Sequence, residues 1–442
     1  MKHVAFYITN QGTAEVNCHN LLQGNPGIGG SEYAMLLLAY SLGTNYKDLH
    51  ITVYTDKEGI LPENMRVKTV ENRNDLAQKV KEDEVEVLVL RDQSNFDIFH
   101  NELKIVVLAE NFIQPKYLRY LANEKRVYRI VCVGNEQLNL YRDHAAYRKS
   151  VAIYNPFCAE KIQLPDYSMR PKHVTYIGSL IPAKGFHVLA KAWKTILEVY
   201  PDAFLNVIGS GNLYNRQTPL GKYGIAEASY EQVFMPYLTD ETGKILPSVK
   251  FWGILGHGKA DILQHTRVGV PNPSGVTETF GYTAVEMQAY GCLIATIKCP
   301  AYVETVYSGA GILYWREKDL AKSVITLLNF GNNNYQKTMD YIWSHFALEK
   351  IANEWHQLFL NTLQPEQKPI LIKWGQYAEL NRKIKNSIPW GYKLLPSVYT
   401  FWDLYQQQFK SLLKRKNIIL HLFRKFIFYL QIITAFTAPI GL

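Results

Sequence analysis

The amino-acid sequence predicts an α/β protein with two doubly wound domains that face each other across a cleft. Three observations predict this fold class. Short β-branched and aliphatic runs alternate with helical patterns along most of the 442 residues. The runs are apolar on both faces, as expected for parallel strands that helices cover on both sides. A polar stretch at 157–171, with two prolines, interrupts the alternation once and divides it into two series.

The first series predicts a Rossmann-like domain over residues 1–156. Strands are predicted at 3–8, 50–54, 85–90, 104–108 and 129–133, and the segment 151–156 closes the domain. Helices are predicted at 31–42 and 115–123. Residues 157–172 are expected to be a linker.

The second series predicts a similar domain over residues 173–340. Its strands are predicted at 174–178, 204–209, 249–253, 268–270 and 293–297, and its helices at 186–200, 259–265 and 281–290. Ligands of such sheets bind beyond the carboxyl ends of the strands, so two facing sheets place a ligand between the domains. Residues 341–368, which include Trp343 and Trp355, follow as a further helical region.

The positive charge of the chain is concentrated in its last part. The formal net charge is 48 − 39 = +9. Residues 369–442 hold 11 Lys/Arg and 2 acids, a balance of +9, so residues 1–368 are neutral overall. This pattern argues against a protein wrapped by nucleic acid. The tail alternates cations with apolar residues, which predicts a basic helix that associates with an anionic membrane surface. The alternative is a helix packed on the first domain.

Cysteines and the N-terminal residues indicate the compartment. The five cysteines are scattered without a C-x-x-C pair, which argues against a disulfide framework or a zinc site. The N-terminal MKHVAFYITNQG predicts a first strand and not a signal peptide. No uninterrupted run of 18 apolar residues occurs. We therefore expect a cytoplasmic protein, with peripheral association at the cytoplasmic face of a membrane through the tail.

A glycine-rich segment at 24–32 precedes the first predicted helix. Gly29 and Gly30 lack the Cβ atoms that would keep a ligand away from the backbone, and Ser31 could cap the helix. A helix N-terminus with free N–H groups attracts a diphosphate. The alternative is an ordinary flexible loop with a cap.

Two carboxylates, Glu278 and Glu286, lie in the segment 272–286 after an Asn-Pro-Ser-Gly turn. If a helix begins near Phe280, its first amides point at a phosphate or sugar, and Glu286 lies about two turns beyond Glu278. The alternative is a pair of solvated charges. The apolar run that follows the segment favours the first interpretation.

A lysine at the end of a strand and loop forms the third motif. Gly178 ends the predicted strand, and Lys184 precedes the next helix. An ammonium there could stabilise the charge that grows on a leaving diphosphate, which is often the largest contribution to catalysis. The alternative is a surface lysine.

In this order, the Gly-Gly-x-Glu loop, the Gly-x-Leu-x-x-x-Lys-Gly loop and the E-x7-E block after Asn-Pro-Ser resemble glycosyltransferase family 4, the retaining enzymes of GT-B fold. The resemblance spans residues 1–365, with 341–359 similar to the family's C-terminal helix that crosses back onto the first domain. It implies that Gly29 and Gly30 approach the donor diphosphate and that Lys184 neutralises it. Glu278 is then expected to hold the donor sugar, and Glu286 the ribose hydroxyls.

The resemblance implies further donor-binding positions in the same loops. Ile254 is expected to border the base, and the backbone at 279–282 to meet sugar and phosphate. The full set of these further positions is Gly178, Ser179, Ile254, Ser274, Thr279, Phe280, Gly281 and Tyr282. No metal or cofactor is implied, because Lys184 and helix-end amides supply the positive charge.

Two positions depart from the family pattern. The family places an arginine where this chain has Ser179, and a serine cannot supply a bidentate guanidinium. The family also places a histidine near the donor sugar, where this chain offers Glu110 or Asn111. A carboxylate could still hydrogen-bond sugar hydroxyls, so Glu110 joins Lys184 and Glu278 as a candidate catalytic residue.

The function expected from the resemblance is retaining transfer, of hexosyltransferase type, from a nucleoside-diphosphate sugar to a hydroxyl of a glycan or lipid-linked acceptor. Cell-envelope or exopolysaccharide biosynthesis is the expected setting. The leaving diphosphate would deprotonate the acceptor, and a double displacement through Glu278 is the alternative. Two other functions remain open: a GT-B sugar-nucleotide epimerase or phosphorylase, and a non-catalytic binding subunit.

Overall fold

The computed structural model describes residues 1–91, 95–142, 144–160, 164–330 and 335–361. The basic tail at 369–442, with the membrane helix expected there, lies outside the described residues. The last residues of the region 341–368 also lie outside them.

The first sheet contains seven strands, all paired in parallel, in the order β3-β2-β1-β4-β5-β6-β7. The strands are β1 (Lys2–Ile8), β2 (Leu49–Thr55), β3 (Val67–Thr69), β4 (Val87–Leu90), β5 (Lys104–Ala109), β6 (Val127–Cys132) and β7 (Ser150–Ala152). The helices between them are α1 (Gly30–Asn45), α2 (Arg73–Glu82), α3 (Pro115–Asn123) and α4 (Asn135–Asn139). The strand order reverses between β1 and β4, which is where such sheets bind ligands.

The second sheet contains six parallel strands in the order β10-β9-β8-β11-β12-β13. They are β8 (His173–Ile177), β9 (Phe204–Ile208), β10 (Val249–Gly253), β11 (Thr266–Gly269), β12 (Leu293–Ile297) and β13 (Gly311–Tyr314). The helices are α5 (Phe186–Val199), α6 (Ala228–Phe234), α7 (Lys259–Leu263), α8 (Tyr282–Ala289), α9 (Pro300–Thr305) and α10 (Leu320–Leu328). The prediction of two doubly wound α/β domains is confirmed.

Several short elements were not predicted from the sequence: β3, β13, α2, α4, α6, α9 and α10. The strand β3 has only three residues, none of them fully buried, so it shows no alternation to recognise. The predicted strands were recognisable because both of their faces are covered. All four residues of β4, for example, are buried.

The helix α1 is buried on most of its surface because it packs against the first sheet and against a helix from the end of the described chain. Ten of its sixteen residues are buried. A helix that is apolar all round is expected in such an enclosed place. The N-terminus of α1 is therefore fixed in direction at the carboxyl edge of the first sheet.

The region predicted as one crossing helix consists of two, α11 (Tyr335–Phe346) and α12 (Leu348–Phe359). The break between them is held by Phe157, whose N–H donates to Phe346 O at 2.7 Å and whose carbonyl accepts from Leu348 N at 3.1 Å. The helix α12 then packs on the first domain. Trp355 and Phe359 of α12 both lie with their ring centroids 6.4 Å from that of Phe6 in β1.

One apolar cluster joins the two domains. It runs from β1 and α1 of the first domain to α8, α11 and α12, and its buried members include Tyr33, Phe280 and Phe346. The ring centroids of Tyr33 and Tyr282 lie 5.7 Å apart, in an edge-to-face arrangement across the two domains. Apolar burial therefore holds the domains together beside the polar contacts described below.

Glu304 of α9 makes a polar contact between the domains at the N-terminus of α4. Its carboxylate accepts from Asn135 N at 2.8 Å, from Glu136 N at 2.5 Å and from Tyr154 Oη at 2.7 Å. A Cβ on Gly134 would lie 2.9 Å from Glu304 Oε1, so a larger residue there would displace the carboxylate. The second domain thus supplies the acceptor that the free amides of α4 need.

We expect Glu304→Ala to lower the free energy of unfolding by about 1–3 kcal/mol, because amides at the domain contact lose their acceptor. Urea denaturation followed by circular dichroism measures the change. The matched control is Glu241→Ala, at an exposed position, which should leave stability within about 0.5 kcal/mol of the wild type. Equal stability of the two variants would contradict the assigned role of Glu304.

Candidate functional site

Lys184 and Glu278 form an ion pair at the carboxyl edge of the second sheet. Lys184 ends a short 3-10 turn after β8, and Gly185, with φ of 66°, turns the chain into α5. The ammonium Nζ of Lys184 donates to Oε1 of Glu278. Burial lowers the pKa of Lys184, but the Glu278 carboxylate, together with Tyr214 and Cys299, outweighs this effect, so the net shift is upward. The ammonium is therefore held in its charged form.

The turn before Glu278 fixes the position of this carboxylate. Asn272 Nδ2 donates to the same oxygen, Glu278 Oε1, at 2.8 Å. Ser274 Oγ lies 2.7 Å from Asn272 Oδ1 and 3.1 Å from the carbonyl oxygen of Ala183, beside Lys184. A Cβ on Gly185 would lie 2.7 Å from Ser274 N, so only glycine permits this approach. The lysine loop and the glutamate loop thus hold each other in place.

Glu286 forms a second ion pair, with a lysine that the sequence did not single out. Its Oε1 lies 2.7 Å from Lys259 Nζ, and both side chains are less than a tenth exposed. Lys259 Nζ also donates to the carbonyl oxygen of Asn25, in the glycine-rich segment of the first domain, at 3.1 Å. Lys259 therefore connects the second glutamate of the E-x7-E block to the opposite domain.

The glycines of the segment 24–32 are approached closely by side chains of the second domain. A Cβ on Gly29 would lie 3.3 Å from Cε1 of Tyr214, and one on Gly30 would lie 3.3 Å from Cβ of Tyr282. The N-cap residue of α1 is Gly29 and not Ser31, which lies inside the helix, so the prediction that Ser31 caps it was wrong. These glycines therefore serve the close approach of the two domains. Their expected approach to a diphosphate stays a prediction.

Ile254 and Arg216 hold the same segment at Gly27. A Cβ on Gly27, whose φ is 101°, would lie 2.8 Å from Cγ2 of Ile254. Arg216 Nη2 donates to the Gly27 carbonyl oxygen at 2.6 Å. Ile254 thus packs against the first domain, and its expected contact with a base stays a prediction.

Tyr214 lies between the glycine-rich segment and the Lys184–Glu278 pair. Besides its contact with Gly29, it interacts electrostatically with Lys184. The residue is 48% exposed although it contacts both domains. A ligand that enters the site from solvent would meet this phenol.

Glu110 follows β5 and lies between three segments. Its Oε2 accepts from Ser31 Oγ at 3.2 Å and from Asn155 Nδ2 at 3.0 Å. Its backbone carbonyl accepts from Thr279 Oγ1, next to Glu278. Burial raises the pKa of Glu110 above its ordinary value. The two domains thus meet at the carboxyl ends of their strands, and Glu110 is the candidate catalytic residue from the first domain.

The start of α8 is fixed by aromatic packing. Gly281 is its N-cap residue with φ of 78°, and a Cβ there would lie 2.6 Å from the ring of Tyr302. The helix begins at Tyr282, so the beginning predicted near 280–281 was one to two residues early. Phe280 is buried, and Tyr282 Oη donates to Pro156 O at 2.9 Å. Glu278 therefore precedes the helix, while Glu286 lies within it.

Gly178 and Ser179 follow β8 directly and hydrogen-bond to the end of β9 and the segment after it. Gly178 N donates to Ile208 O at 3.0 Å, which extends the pairing of β8 with β9. The buried Ser179 Oγ donates to the carbonyl oxygen of Ser210 at 3.3 Å. The hydroxyl of Ser179 thus holds the start of the segment that carries Tyr214 and does not replace a guanidinium.

Two further properties concern only the part of the chain that the structure describes. Within it, no group of three or more His, Cys, Asp or Glu side chains is arranged to hold a metal ion. No helix within these ranges is long and apolar enough to cross a bilayer.

Solved structures with the same arrangement of two domains identify the architecture. HepE of Anabaena, in complex with UDP and glucose, matches with a TM-score of 0.59 and 14% identity, over 82% of this chain and 100% of that one. A glycosyltransferase from Rickettsia africae gives a TM-score of 0.59 and 11% identity, over 83% and 99%. Sucrose-phosphate synthase of Thermosynechococcus elongatus gives 0.57 and 15%, over 82% and 99%.

The architecture is GT-B. Within this GT-B chain, residues 171–329 match the family model described as "Glycosyl transferases group 1". The match covers the second sheet together with Lys184, Glu278 and Glu286. No curated protein sequence is significantly similar to the chain.

The geometry of this GT-B site permits a defined chemistry. Lys184 offers a charged donor, the N-terminus of α1 offers backbone amides, and Glu278 offers acceptor oxygens. Cations and free helix amides each bind anions, and carboxylates bind hydroxyl groups. The site therefore suits a ligand that combines phosphate with a polyol.

Proposed function

We propose that the protein transfers a sugar from a nucleoside-diphosphate sugar to a hydroxyl of a glycan or lipid-linked acceptor. The observation that carries the proposal is the contact between Lys184 and Glu278. The next residue, Thr279, contacts Glu110 of the opposite domain, so the pair lies where the two domains meet. The group 1 family match of residues 171–329 and the GT-B architecture support it.

Lys184 is proposed to neutralise the leaving diphosphate. Its ammonium is held by the Glu278 carboxylate, which favours the charged form. A diphosphate gains negative charge as the glycosidic bond breaks, so a preformed cation lowers the energy of the transition state more than that of the bound donor. The free amides at the N-terminus of α1 would add partial positive charge.

Glu278 and Glu286 are proposed to divide the recognition of the donor. Glu278, fixed by Asn272, would accept hydrogen bonds from hydroxyls of the donor sugar. Glu286, with its charge balanced by Lys259, would accept from the ribose hydroxyls. Charge-assisted hydrogen bonds of this kind are stronger than neutral ones, which suits the selection of a polyol.

We propose that the anomeric configuration is retained. The acceptor oxygen forms a bond with the anomeric carbon on the face from which the diphosphate departs, and the bond to the diphosphate oxygen breaks. The acceptor proton passes to that phosphate oxygen, so the leaving group is the base. In the alternative, Glu278 forms a covalent glycosyl intermediate that the acceptor then displaces.

The setting of the reaction is also a proposal. We expect a cytoplasmic reaction with a cell-envelope or exopolysaccharide acceptor, without a metal or other cofactor, because Lys184 and backbone amides supply the positive charge. The basic composition of 369–442 supports association with an anionic membrane surface, where a lipid-linked acceptor would be found.

Ligand binding tests the first part of the proposal. UDP and UDP-glucose, which are present in the HepE structures, should raise the melting temperature of the full chain. A ligand at 100 times its dissociation constant stabilises the native state by about 2.7 kcal/mol. EDTA should leave this shift unchanged. The control is uridine, which lacks the diphosphate and should give a much smaller shift.

Turnover distinguishes the proposed transfer from its alternatives. UDP release from UDP-glucose that needs a glycan acceptor supports transfer. Formation of an epimeric sugar nucleotide without an acceptor supports the epimerase, and release of sugar phosphate with inorganic phosphate supports the phosphorylase. Binding of UDP-glucose without turnover under all of these conditions supports the binding subunit.

A further inference from the structure

The segment 212–216, which follows β9, belongs to the second domain but is docked on the first. Arg216 N donates to the Gly12 carbonyl oxygen at 3.4 Å, and Arg216 Nη2 donates to that of Gly27 at 2.6 Å. A Cβ on Gly12 would collide with the Tyr214 carbonyl oxygen, so this approach requires glycine at position 12. The backbone at Tyr214 is therefore fixed against the first domain.

The same segment is anchored in the second domain at its start. Ser210 Oγ and Gly211 N both donate to the carbonyl oxygen of Ile225, at 3.3 Å and 2.9 Å. The carbonyl oxygen of Ser210 in turn accepts from the buried Ser179 hydroxyl at 3.3 Å. Contacts with both domains thus set the position of Tyr214, and such preorganisation strengthens binding by a fixed group.

The phenol of Tyr214 lies between two positively charged features. Its ring contacts the start of α1, where a Cβ on Gly29 would lie 3.3 Å from Cε1 and 3.5 Å from Cδ1. Its hydroxyl end interacts electrostatically with Lys184 and Glu278. The free amides of a helix N-terminus carry partial positive charge, and the ammonium of Lys184 carries a full one. Both features attract an anion.

The hydroxyl of Tyr214 is an unused hydrogen-bond donor. Among the residues that the structure describes, no group forms a hydrogen bond with it. Partial burial raises the pKa of this phenol, and the opposing effect of Lys184 is smaller, so the hydroxyl keeps its proton at neutral pH and can donate it. The residue is 48% exposed, which leaves it open to a ligand. Packing against Gly29 needs only the ring, which phenylalanine would also supply.

We propose that Tyr214 donates a hydrogen bond from its hydroxyl to a non-bridging oxygen of the donor's diphosphate. The proposal rests on the proposed function, because it adds a second contact to the leaving group that Lys184 neutralises. A phenol and an ammonium on the same diphosphate act on the charge that grows as the glycosidic bond breaks. Both groups therefore stabilise the transition state more than the bound donor.

The position of Ser179 supports the role of Tyr214. Ser179 stands where the resemblance to family 4 implies a guanidinium, yet it is 1% exposed and its hydroxyl donates to the Ser210 carbonyl oxygen. It is therefore not placed to contact a ligand. Ser179 instead holds the segment that presents Tyr214, so the site gains its second donor to the diphosphate from this segment.

Calorimetry with UDP and uridine tests the contact in the full chain. Tyr214→Phe removes the hydroxyl and keeps the ring on Gly29. Its affinity for UDP should fall about tenfold, the loss expected for one hydrogen bond to a charged group. Its affinity for uridine, which lacks the diphosphate, should not change. The matched control is Tyr237→Phe, at a tyrosine that is 44% exposed, which should bind both ligands like the wild type.

Three results would overturn the contact. Wild-type affinity of Tyr214→Phe for UDP would mean that the hydroxyl is not used. Equal losses of affinity for UDP and uridine would mean that the phenol only shapes the site. Tighter binding of UDP by Tyr214→Ala than by the wild type would mean that the side chain occupies the place of the diphosphate and has to move aside.

Kinetics distinguish a contact with the leaving group from a structural role. With UDP-glucose and a glycan acceptor, Tyr214→Phe should lower kcat about tenfold and change KM less, because the charge on the diphosphate grows in the transition state. Thermal unfolding shows whether the variant keeps the melting temperature of the wild type. An unchanged kcat with a lowered melting temperature would assign Tyr214 a structural role alone.

Failure of the proposed function gives a different pattern. A wild-type chain that binds neither UDP nor UDP-glucose contradicts the donor site and, with it, the Tyr214 contact. A wild-type chain that binds UDP and transfers the sugar, with Tyr214→Phe equal to it in both respects, contradicts only the Tyr214 contact.

Discussion

Lys184→Ala is expected to lower kcat for sugar transfer by about 10²–10³-fold, the range found when one preorganised donor to a developing negative charge is removed. The ammonium contacts Glu278 and is fixed by the interlocked loops around Ser274 and Gly185. Because its position is set before the donor binds, its loss should affect the transition state more than the bound ground state. The decrease should therefore appear mainly in kcat, with a smaller change in KM.

Initial rates of UDP release from UDP-glucose, with a glycan acceptor present, measure this effect. Lys191→Ala is the matched control, since Lys191 is an exposed lysine on α5, shortly after Lys184. Thermal unfolding of both variants shows whether they are folded. A folded Lys184→Ala protein with the wild-type kcat would exclude Lys184 from the chemistry.

Glu278→Gln tests the role of Glu278 separately from that of Lys184. The amide keeps the shape of the side chain and one acceptor oxygen but removes the charge that faces Lys184. We expect weaker binding of UDP-glucose with little change for UDP, since Glu278 is proposed to meet the sugar and Lys184 the diphosphate. An equal loss of both affinities would instead show that the pair acts only as a structural unit.

Lys259→Met is expected to lower the free energy of unfolding by about 3–5 kcal/mol, which is typical of a buried ion pair that loses one partner. The change leaves Glu286 buried without its cation and removes the donor to the carbonyl oxygen of Asn25. Methionine nearly fills the volume of the lysine stem, so the loss reports charge and hydrogen bonding more than packing. Urea denaturation gives the free energy of unfolding.

The double variant Lys259→Met, Glu286→Gln tests the coupling of the pair. It should regain part of the lost stability, because the remaining group is no longer a buried charge. Lys194→Met, at an exposed position on α5, is the control and should stay within about 0.5 kcal/mol of the wild type. A loss below about 1 kcal/mol in Lys259→Met would contradict the buried pair.

Much of the fold was predictable because the inner strands of both sheets are buried on both faces. The strands β5 and β12 appear in the sequence as nearly uninterrupted apolar runs. The helix α2 was missed although a local signal exists. Asn72 caps it, accepting from Asn74 N at 2.9 Å and Asp75 N at 3.1 Å. Most residues of α2 are polar or charged, and they hid its narrow apolar face of Leu76 and Val80.

The candidate site was predictable only where its residues belong to local motifs. Lys184 and Glu278 follow strands of one parallel sheet, and the carboxyl ends of such strands lie at one edge. Lys259 and Arg216 gave no such signal, because their partners lie 234 and 189 residues away in the first domain. A lysine in a helix and an arginine in a loop look like solvated charges until tertiary structure supplies the carbonyl that each contacts.

The return of α12 to the first domain has a consequence for the order of folding during synthesis. Phe6 of β1 is covered by Trp355 and Phe359, and Lys2 Nζ donates to the Phe359 carbonyl oxygen at 2.6 Å. Domains usually fold in turn as they leave the ribosome, the N-terminal one first. Here the earliest strand waits for residues translated more than 340 positions later. The part of the apolar surface around Phe6 that α12 covers therefore stays uncovered until the whole second domain has been synthesised.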